Sequence, residues 1–518
     1  MKKTGVLDRG KRLAHFYLFR YFRFYSRKFR PQDTIKREEI EKGLQAVVKD
    51  GLASQAMSTL TGGAFLVDFA LLLGASNFFI GVLAAIPALT QLIQIPATFL
   101  VEKTRRRKLI VAIGAFISRI FLLLFALIPF LFSPSRRITA LSLVILFHSA
   151  CNSVVSCSWS SWMRDFIPEN ILGSFFSRRM ALSYSLGAVL SLAGAFYLDF
   201  WKRSFSDPLT GYSFLFLGGV IAGFFSFYYL TLPPEPRLEG EEKAIGFAQL
   251  FLSPFKDQNF RNLLFFSGSW HFAYNLATPF FTVYLLRRLE YNMITVVILS
   301  TISQVMSILF FRWWGSIADH FSNKSVLLVS SPIFLVSLFL WTFTTLPEKH
   351  AFTLPLLIII HILLGISTAG ILLATGNMGM KLAPRGQATP YLATYNLVNS
   401  LSLGIAPLLG GKLADFFAQR ELSLSLNWIS PTAERSFATL SFEHWDFLFF
   451  FALLIGIYAL HRLTFVEEVE EEKGTMGGLV TEIGRAVNNI SSAGGIFLIE
   501  NFRFPLRRKE KKKKTYLY

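Results

Sequence analysis

Apolar stretches of about twenty residues recur along this chain, and they constrain its fold more than any other feature. A bilayer core of roughly 30 Å needs about twenty helical residues at ~1.5 Å rise, so each stretch reads as a membrane-spanning helix. Weighing apolar length against turn residues and charge, the sequence predicts spans near 51 to 74, 76 to 101, 108 to 132, 138 to 163, 178 to 200 and 212 to 232. After the polar stretch Pro233 to Lys243, six more are expected near 260 to 286, 292 to 314, 324 to 346, 352 to 378, 387 to 416 and 444 to 464. One soluble domain is excluded: 53% of the 518 residues are hydrophobic and 16% charged, with mean hydropathy +0.46, which is more apolar surface than a soluble core can hide.

The expected organisation is a basic, aromatic arm (1–50), a six-helix bundle (51–232), a central linker (233–257), a second six-helix bundle (258–465) and a tail (466–518). The formal charge of +19 does not point to nucleic acid, because Lys and Arg cluster at the two ends and in short loops. That pattern suits the anionic inner leaflet of a membrane, which the basic arm and the run Arg507 to Lys514 would both contact. Lys103, Arg105, Arg106, Arg107 and Lys108 share the face of the basic arm. The positive-inside rule then puts both termini in the cytosol, with the chain in a cell membrane of the bacterial inner or plasma type. Arg136, Arg137, Lys202, Arg203, Arg287 and Arg288 fall on the other face. Cys151 and Cys157 lie on one span, so neither a disulfide framework nor a thiolate metal site is expected. No cofactor is called for, no removable signal peptide is visible at the start, and a monomer is expected.

The two bundles read as copies. Pro168, Gly194, Asp199 and Phe200 each have an identical residue 216 positions later, at Pro384, Gly410, Asp415 and Phe416. Glu102 and Arg107 match Asp319 and Lys324, an acid followed by a base in the loop after the second span of each copy. Duplicated bundles are what transporters rock against one another around a central site.

Thr98-Phe-Leu-Val-Glu102-Lys-Thr-Arg-Arg106-Arg107-Lys and Gly315-Ser-Ile-Ala-Asp319-His-Phe-Ser-Asn-Lys324-Ser resemble the loop 2–3 and 8–9 signature of the Major Facilitator Superfamily, Gly-x-Leu-Ala-Asp-Arg-x-Gly-Arg-Arg. Arg105 and Ser322 stand where the second glycine of that pattern lies. Trp162-Met-Arg-Asp165-Phe-Ile-Pro168, with Gly173 and Arg178-Arg179 after it, is similar to the family's loop 4–5, and Met380 to Gly386 looks like its second copy. The resemblance covers roughly residues 45 to 465. It implies two pseudo-symmetric bundles, a secondary transporter with alternating access, and a cytosolic gate braced by Glu102 or Asp319 with Arg106, Arg107, Asp165, Arg179, Gly315 and Lys324. Ala406-Pro407-Leu-Leu-Gly410-Gly411 is close to an antiporter motif but lies in the wrong span, and small residues also simply let membrane helices approach.

An ionisable side chain at mid-bilayer costs ~2.5–3.5 kcal/mol on insertion scales, so each needs a partner, a wet cavity or a function. Asp68, Arg119, His148, His271 and His361 fall inside spans. In the resembling family spans 1, 4, 7 and 10 line the cavity. His148 and Asn152 share a helix face, as do His271 and Asn275, so both pairs read as a substrate-contacting wall. Asp68 is the first candidate for proton or cation coupling, with a structural pair to Arg119 as the alternative, and the histidines are second. The Arg and His residues suit an anion and Asp68 a cation, which leaves the small-molecule substrate open. A lipid flippase or a non-transporting scaffold of the same fold is the competing reading. A membrane-embedded transferase, and so any enzyme, is disfavoured because the loop 417–443 offers only the scattered Glu421, Glu434 and Glu443.

Overall fold

A computed structural model describes residues 29–168, 172–237, 254–345, 348–383, 388–430 and 433–468. The basic-aromatic stretch 13–28, most of the central linker, the loop 384–387 and the tail from 469, including its polybasic end, lie outside the described residues.

The first bundle holds span 1 (Arg37–Thr61, then Gly63–Leu72), span 2 (Asn77–Thr90, then Gln94–Thr104 after one 3-10 turn), span 3 (Arg107–Leu131), span 4 (Pro134–Phe166), span 5 (Leu172–Ser204) and span 6 (Pro208–Leu230). The second holds span 7 (Gln258–Val283, ending in a π turn), span 8 (Met293–His320), span 9 (Asn323–Trp341), span 10 (Thr353–Lys381), span 11 (Ala388–Phe417) and span 12 (Trp445–Thr464). Among the described residues eleven helices are long and apolar enough to cross a membrane. Span 7 is the polar exception, and its 26 residues still measure about 39 Å. The chain is thus an all-helical polytopic membrane protein. The loops after spans 2, 4, 8 and 10 define a basic face, and the loops after odd-numbered spans define the opposite face.

Three local features depart from the expected pattern. Span 1 begins at Arg37, inside the stretch assigned to the arm, because exposed pairs Arg37–Glu41 and Lys42–Glu38 support a polar first turn before the apolar segment begins. It then breaks where Gly62 is extended and Gly63 turns left-handed at φ 56°, so an otherwise continuous apolar run is interrupted within the membrane. The loop after span 11 forms an antiparallel hairpin, β1 (Glu421–Ser430) and β2 (Ala433–Glu443), with Glu421 opposite Glu443. The alternation Leu422-Ser-Leu-Ser-Leu426 has the two-residue period of a strand.

The bundles meet mainly through span 2 against span 11 and span 5 against span 8. The approach of spans 2 and 11 is backbone-close. A Cβ on Gly81 would lie 2.1 Å from the Pro407 carbonyl oxygen, and one on Gly411 would lie 2.5 Å from that of Asn77. The small residues of the Ala406 to Gly411 string are therefore an interhelical seam. Interdigitated apolar side chains of both bundles, including Phe69, Phe125, Trp270 and Trp341, form one continuous core.

Candidate functional site

Three adjoining hollows follow span 1 toward the basic face. The first, about 630 Å³, lies between the bundles and is lined by Gln55, Thr59, Gly63, Thr278, Ser300 and Gln304 among others, with no charged side chain. The second, about 510 Å³, is walled by the first bundle and holds Asp50, Arg119, His148, Asn152 and Arg179. Ser58, Gly62, Leu66 and Pro87 line both. A third, about 410 Å³, continues past Gly51, Trp159 and Tyr184.

In the charged chamber, side chains from spans 1, 3, 4, 5 and 6 interlock. Span 4 puts His148 and Asn152 on one face, and Asn152 Nδ2 lies 2.9 Å from His148 Nε2. His148 Nδ1 is 3.0 Å from the Ser118 carbonyl oxygen. One tautomer satisfies both contacts: Nδ1–H donates to Ser118 and Nε2 accepts from Asn152. Ser118 Oγ donates to Asn152 Oδ1 at 3.1 Å, and Arg119 Nη1 reaches the same oxygen at 3.4 Å. Arg119 also faces Gly223 O at 3.4 Å and Ser226 Oγ at 3.3 Å. Ser226 in turn donates to Asp50 Oδ1 at 2.7 Å, and Asp50 Oδ2 takes Arg179 Nη2 at 3.4 Å. The Arg179 guanidinium lies over the Trp159 ring at 5.1 Å.

Of the residues expected to line the pathway, Arg119, His148 and Asn152 come together here and the others do not. Asp68 sits near the opposite face, 2.7 Å from Lys202 Nζ and bonded to the Tyr212 hydroxyl; its partner is neither Arg119 nor the cavity. His271 turns its Nδ1 back to the Ser267 carbonyl at 2.8 Å, and Asn275 bonds the His271 carbonyl at 3.0 Å, so this pair satisfies its own helix. His361 bonds the Leu357 carbonyl at 2.8 Å and packs against Trp341, in the core of the second bundle. Asp50 was assigned to the arm by sequence. Its signal was the i, i+4 stripe Asp50, Ser54, Ser58, all three of which line the chamber.

The basic-face loops are built otherwise than the resemblance implies. Arg105 is left-handed at φ 49°, in the position where the family pattern has glycine. Arg107 is fully buried and pairs with Asp165 and, at 3.6 Å, with Glu235. The Glu235 carboxylate also accepts from the Arg107 and Lys108 backbone N–H groups at 2.6 and 3.2 Å, capping span 3. In the second bundle Glu468 accepts from the Lys324 N–H at 2.8 Å and from Asn323 Nδ2 at 2.8 Å, capping span 9. Lys108 Nζ bonds Pro233 O at 2.8 Å and Lys324 Nζ bonds Val466 O at 2.8 Å, so the copies share this architecture. The spacing Thr231-x-x-x-Glu235 and Thr464-x-x-x-Glu468 was its sequence signal. Burial alone would raise the Glu468 carboxyl, but the Lys324 N–H, Asn323 and the Lys381 ammonium outweigh it and hold it below the usual glutamate range. The side chains of Glu102 and Asp319 lie outside the described residues. Arg106 is exposed at the start of span 3. Open space surrounds the Gly315 α-carbon. Arg179 belongs to the chamber instead of the loop, because its position on span 5 carries it to Asp50.

At the opposite face, helix ends of the two bundles are joined by polar contacts. Asp415, at the end of span 11, accepts from the Asn77 and Phe78 N–H groups at 3.1 and 2.9 Å, at the start of span 2. Its repeat partner Asp199 lies buried at the end of span 5, the span that packs against span 8 of the other bundle. Arg287 reaches Ala75 O at 3.0 Å across the same boundary. The Asp415 carboxylate satisfies free N–H groups at the positive end of a helix in the other bundle.

A sequence model of the Major Facilitator Superfamily matches residues 51–407 and 298–478. No curated protein matches the sequence. Among solved structures, a mutant of the nucleoside transporter NupG superposes with a TM-score of 0.62 at 14% identity, covering 83% of this chain and 100% of that one. A bacterial homologue of the iron transporter ferroportin, in an inward-facing state, gives 0.57 at 11% identity over 84% and 100%. A POT family transporter in complex with 5-aminolevulinic acid gives 0.56 at 12% over 84% and 97%. At these identities the likeness is one of fold.

Proposed function

Since the chain belongs to the Major Facilitator Superfamily of secondary transporters, we propose that it carries a small polar solute by alternating access, through the cavity along span 1. The observation that carries this reading is an asymmetry. A hollow lined by both bundles adjoins first-bundle hollows that follow span 1 toward the basic face, while at the opposite face Asp415 joins the bundles by capping the N-terminus of span 2. Helix-terminal carboxylates are reversible seals, and releasing them lets the bundles rock about the solute.

The basic face is cytosolic in this reading, so the cavity is open inward. The break at Gly62 and Gly63 supports a role for span 1 in contacting the solute, because unwound backbone inside a membrane is tolerated where it lines a water-filled cavity. Protons are the coupling ion, carried by Asp50 in the chamber or by Asp68 in its cluster with Lys202 and Tyr212.

Counterflow of labelled solutes into proteoliposomes, with and without an imposed pH gradient, tests the reading. Accumulation that collapses in Asp415→Lys is expected. Absence of counterflow for every class of polar solute would refute transport. Unchanged pH dependence in both Asp50→Asn and Asp68→Asn would refute the coupling assignment.

A further inference from the structure

Arg119 is only 3% exposed, and among the described residues no carboxylate lies within 4.0 Å of its guanidinium. Its hydrogen bonds run to neutral acceptors at 3.3 to 3.4 Å, whereas a charge-assisted pair closes to about 2.7–2.9 Å. The nearest acid, Asp50, is committed to Ser226 and Arg179. A buried cation left this loosely held is destabilising unless an anion reaches it, and Arg119 lines an accessible chamber.

Resting on the transporter reading, we propose that Arg119 receives the anionic group of the solute, a carboxylate or phosphate monoester on an otherwise uncharged, hydrogen-bonding body. Three observations converge. The chamber wall carries two guanidinium groups, Arg119 and Arg179, against one carboxylate, Asp50, a positive excess that an anionic group offsets. The His148 and Asn152 contacts occupy both imidazole nitrogens and turn Asn152 Oδ1 toward Arg119, which aligns the guanidinium without neutralising it. The adjoining hollow of about 630 Å³ offers hydroxyls and amides, such as Gln55, Thr59, Ser300 and Gln304, and no charge. The charged head therefore belongs in the first bundle and the neutral body between the bundles. Asp68, the residue that favoured a cation, does not compete, because Lys202 neutralises it away from the cavity.

The test uses the full-length protein in nanodiscs and matched probe pairs: benzoate against benzamide, and glucuronate and glucose 6-phosphate against glucose. At least one anion raises the thermal unfolding midpoint by about 2 °C while its uncharged counterpart does not. By titration calorimetry Arg119→Gln weakens that anion by about 30-fold or more and Arg119→Lys by less. Size-exclusion profiles matching wild type show that both variants are folded, and if Arg119→Gln does not fold, Arg119→Lys alone decides through its weakened affinity. Binding unchanged in both folded variants, equal shifts from the neutral counterparts, or no shift from any of the three anions overturns the proposal. Counterflow of the bound anion separates the two claims: Arg119-dependent binding without counterflow refutes transport and leaves the site, whereas counterflow of a neutral solute indifferent to Arg119→Gln does the reverse.

Discussion

Replacing Asp415 with Asn is expected to unlock the opposite face. The Asp415 carboxylate accepts two N–H groups of span 2, at 3.1 and 2.9 Å, from a residue of the other bundle. Hydrogen bonds to a charged group contribute about 1.5–3 kcal/mol each, and a carboxylate at a helix N-terminus adds about 0.3–1 kcal/mol. Asn keeps one acceptor oxygen and loses the charge, so the closed arrangement loses about 2 kcal/mol. That is about a 30-fold shift toward the state open on the opposite face, enough to raise a population of about 1% to about a quarter. Spin labels at Ser206 and Glu348, exposed in opposite-face loops of different bundles, report the change by pulsed electron resonance in a Cys151→Ala/Cys157→Ala background. A longer-distance population grows in Asp415→Asn, and more so in Asp415→Lys, where a cation meets the helix N-terminus beside Arg287. Identical distance distributions in wild type and both variants would refute the latch.

Other expectations follow from the same geometry. Gly81→Ala forces a Cβ against the Pro407 carbonyl, destabilises the span 2 and span 11 seam by about 1–3 kcal/mol and lengthens the Ser206 to Glu348 distance; Gly376→Ala, with open space around its α-carbon, leaves it unchanged. Glu235→Gln removes the charged cap of span 3 and lowers stability by about 1–2 kcal/mol, read as a lower thermal midpoint, with Glu468→Gln acting likewise on span 9. Because the Glu468 carboxyl is held below the ordinary range, its stabilisation is complete above the unfolded value of about 4.3 and is lost as pH falls through the depressed folded value. Wild type therefore loses more thermal stability than Glu468→Gln on acidification below about pH 4, and parallel curves would count against the cap.

The spans were legible because transfer of a helix from water to lipid depends on local composition. Span 7, more polar than the others, was likewise expected near 260 to 286 and forms the helix Gln258–Val283. The hairpin was missed, because 417–443 was read only as a loop although Leu422 to Leu426 alternates with the period of a strand. The candidate site was partly legible: Arg119, His148 and Asn152 were expected from their rarity in a membrane, and they converge. Asp50 was hidden by a polar first turn that made span 1 seem to begin after it.

The sequence by itself determined that the chain is a polytopic helical membrane protein, which loops are basic and to which family the chain belongs. Each of these is written in runs or spacings along the chain. Only the tertiary structure decided the partners: Asp68 with Lys202, His361 with Trp341, Asp50 with Arg179, Glu235 on span 3 and Asp415 on span 2. The physical reason is rotational. A rare polar residue reports that it needs a partner, but which one it meets depends on the phase and depth at which two helices pack, set by contacts such as Gly81 against Pro407 hundreds of residues apart.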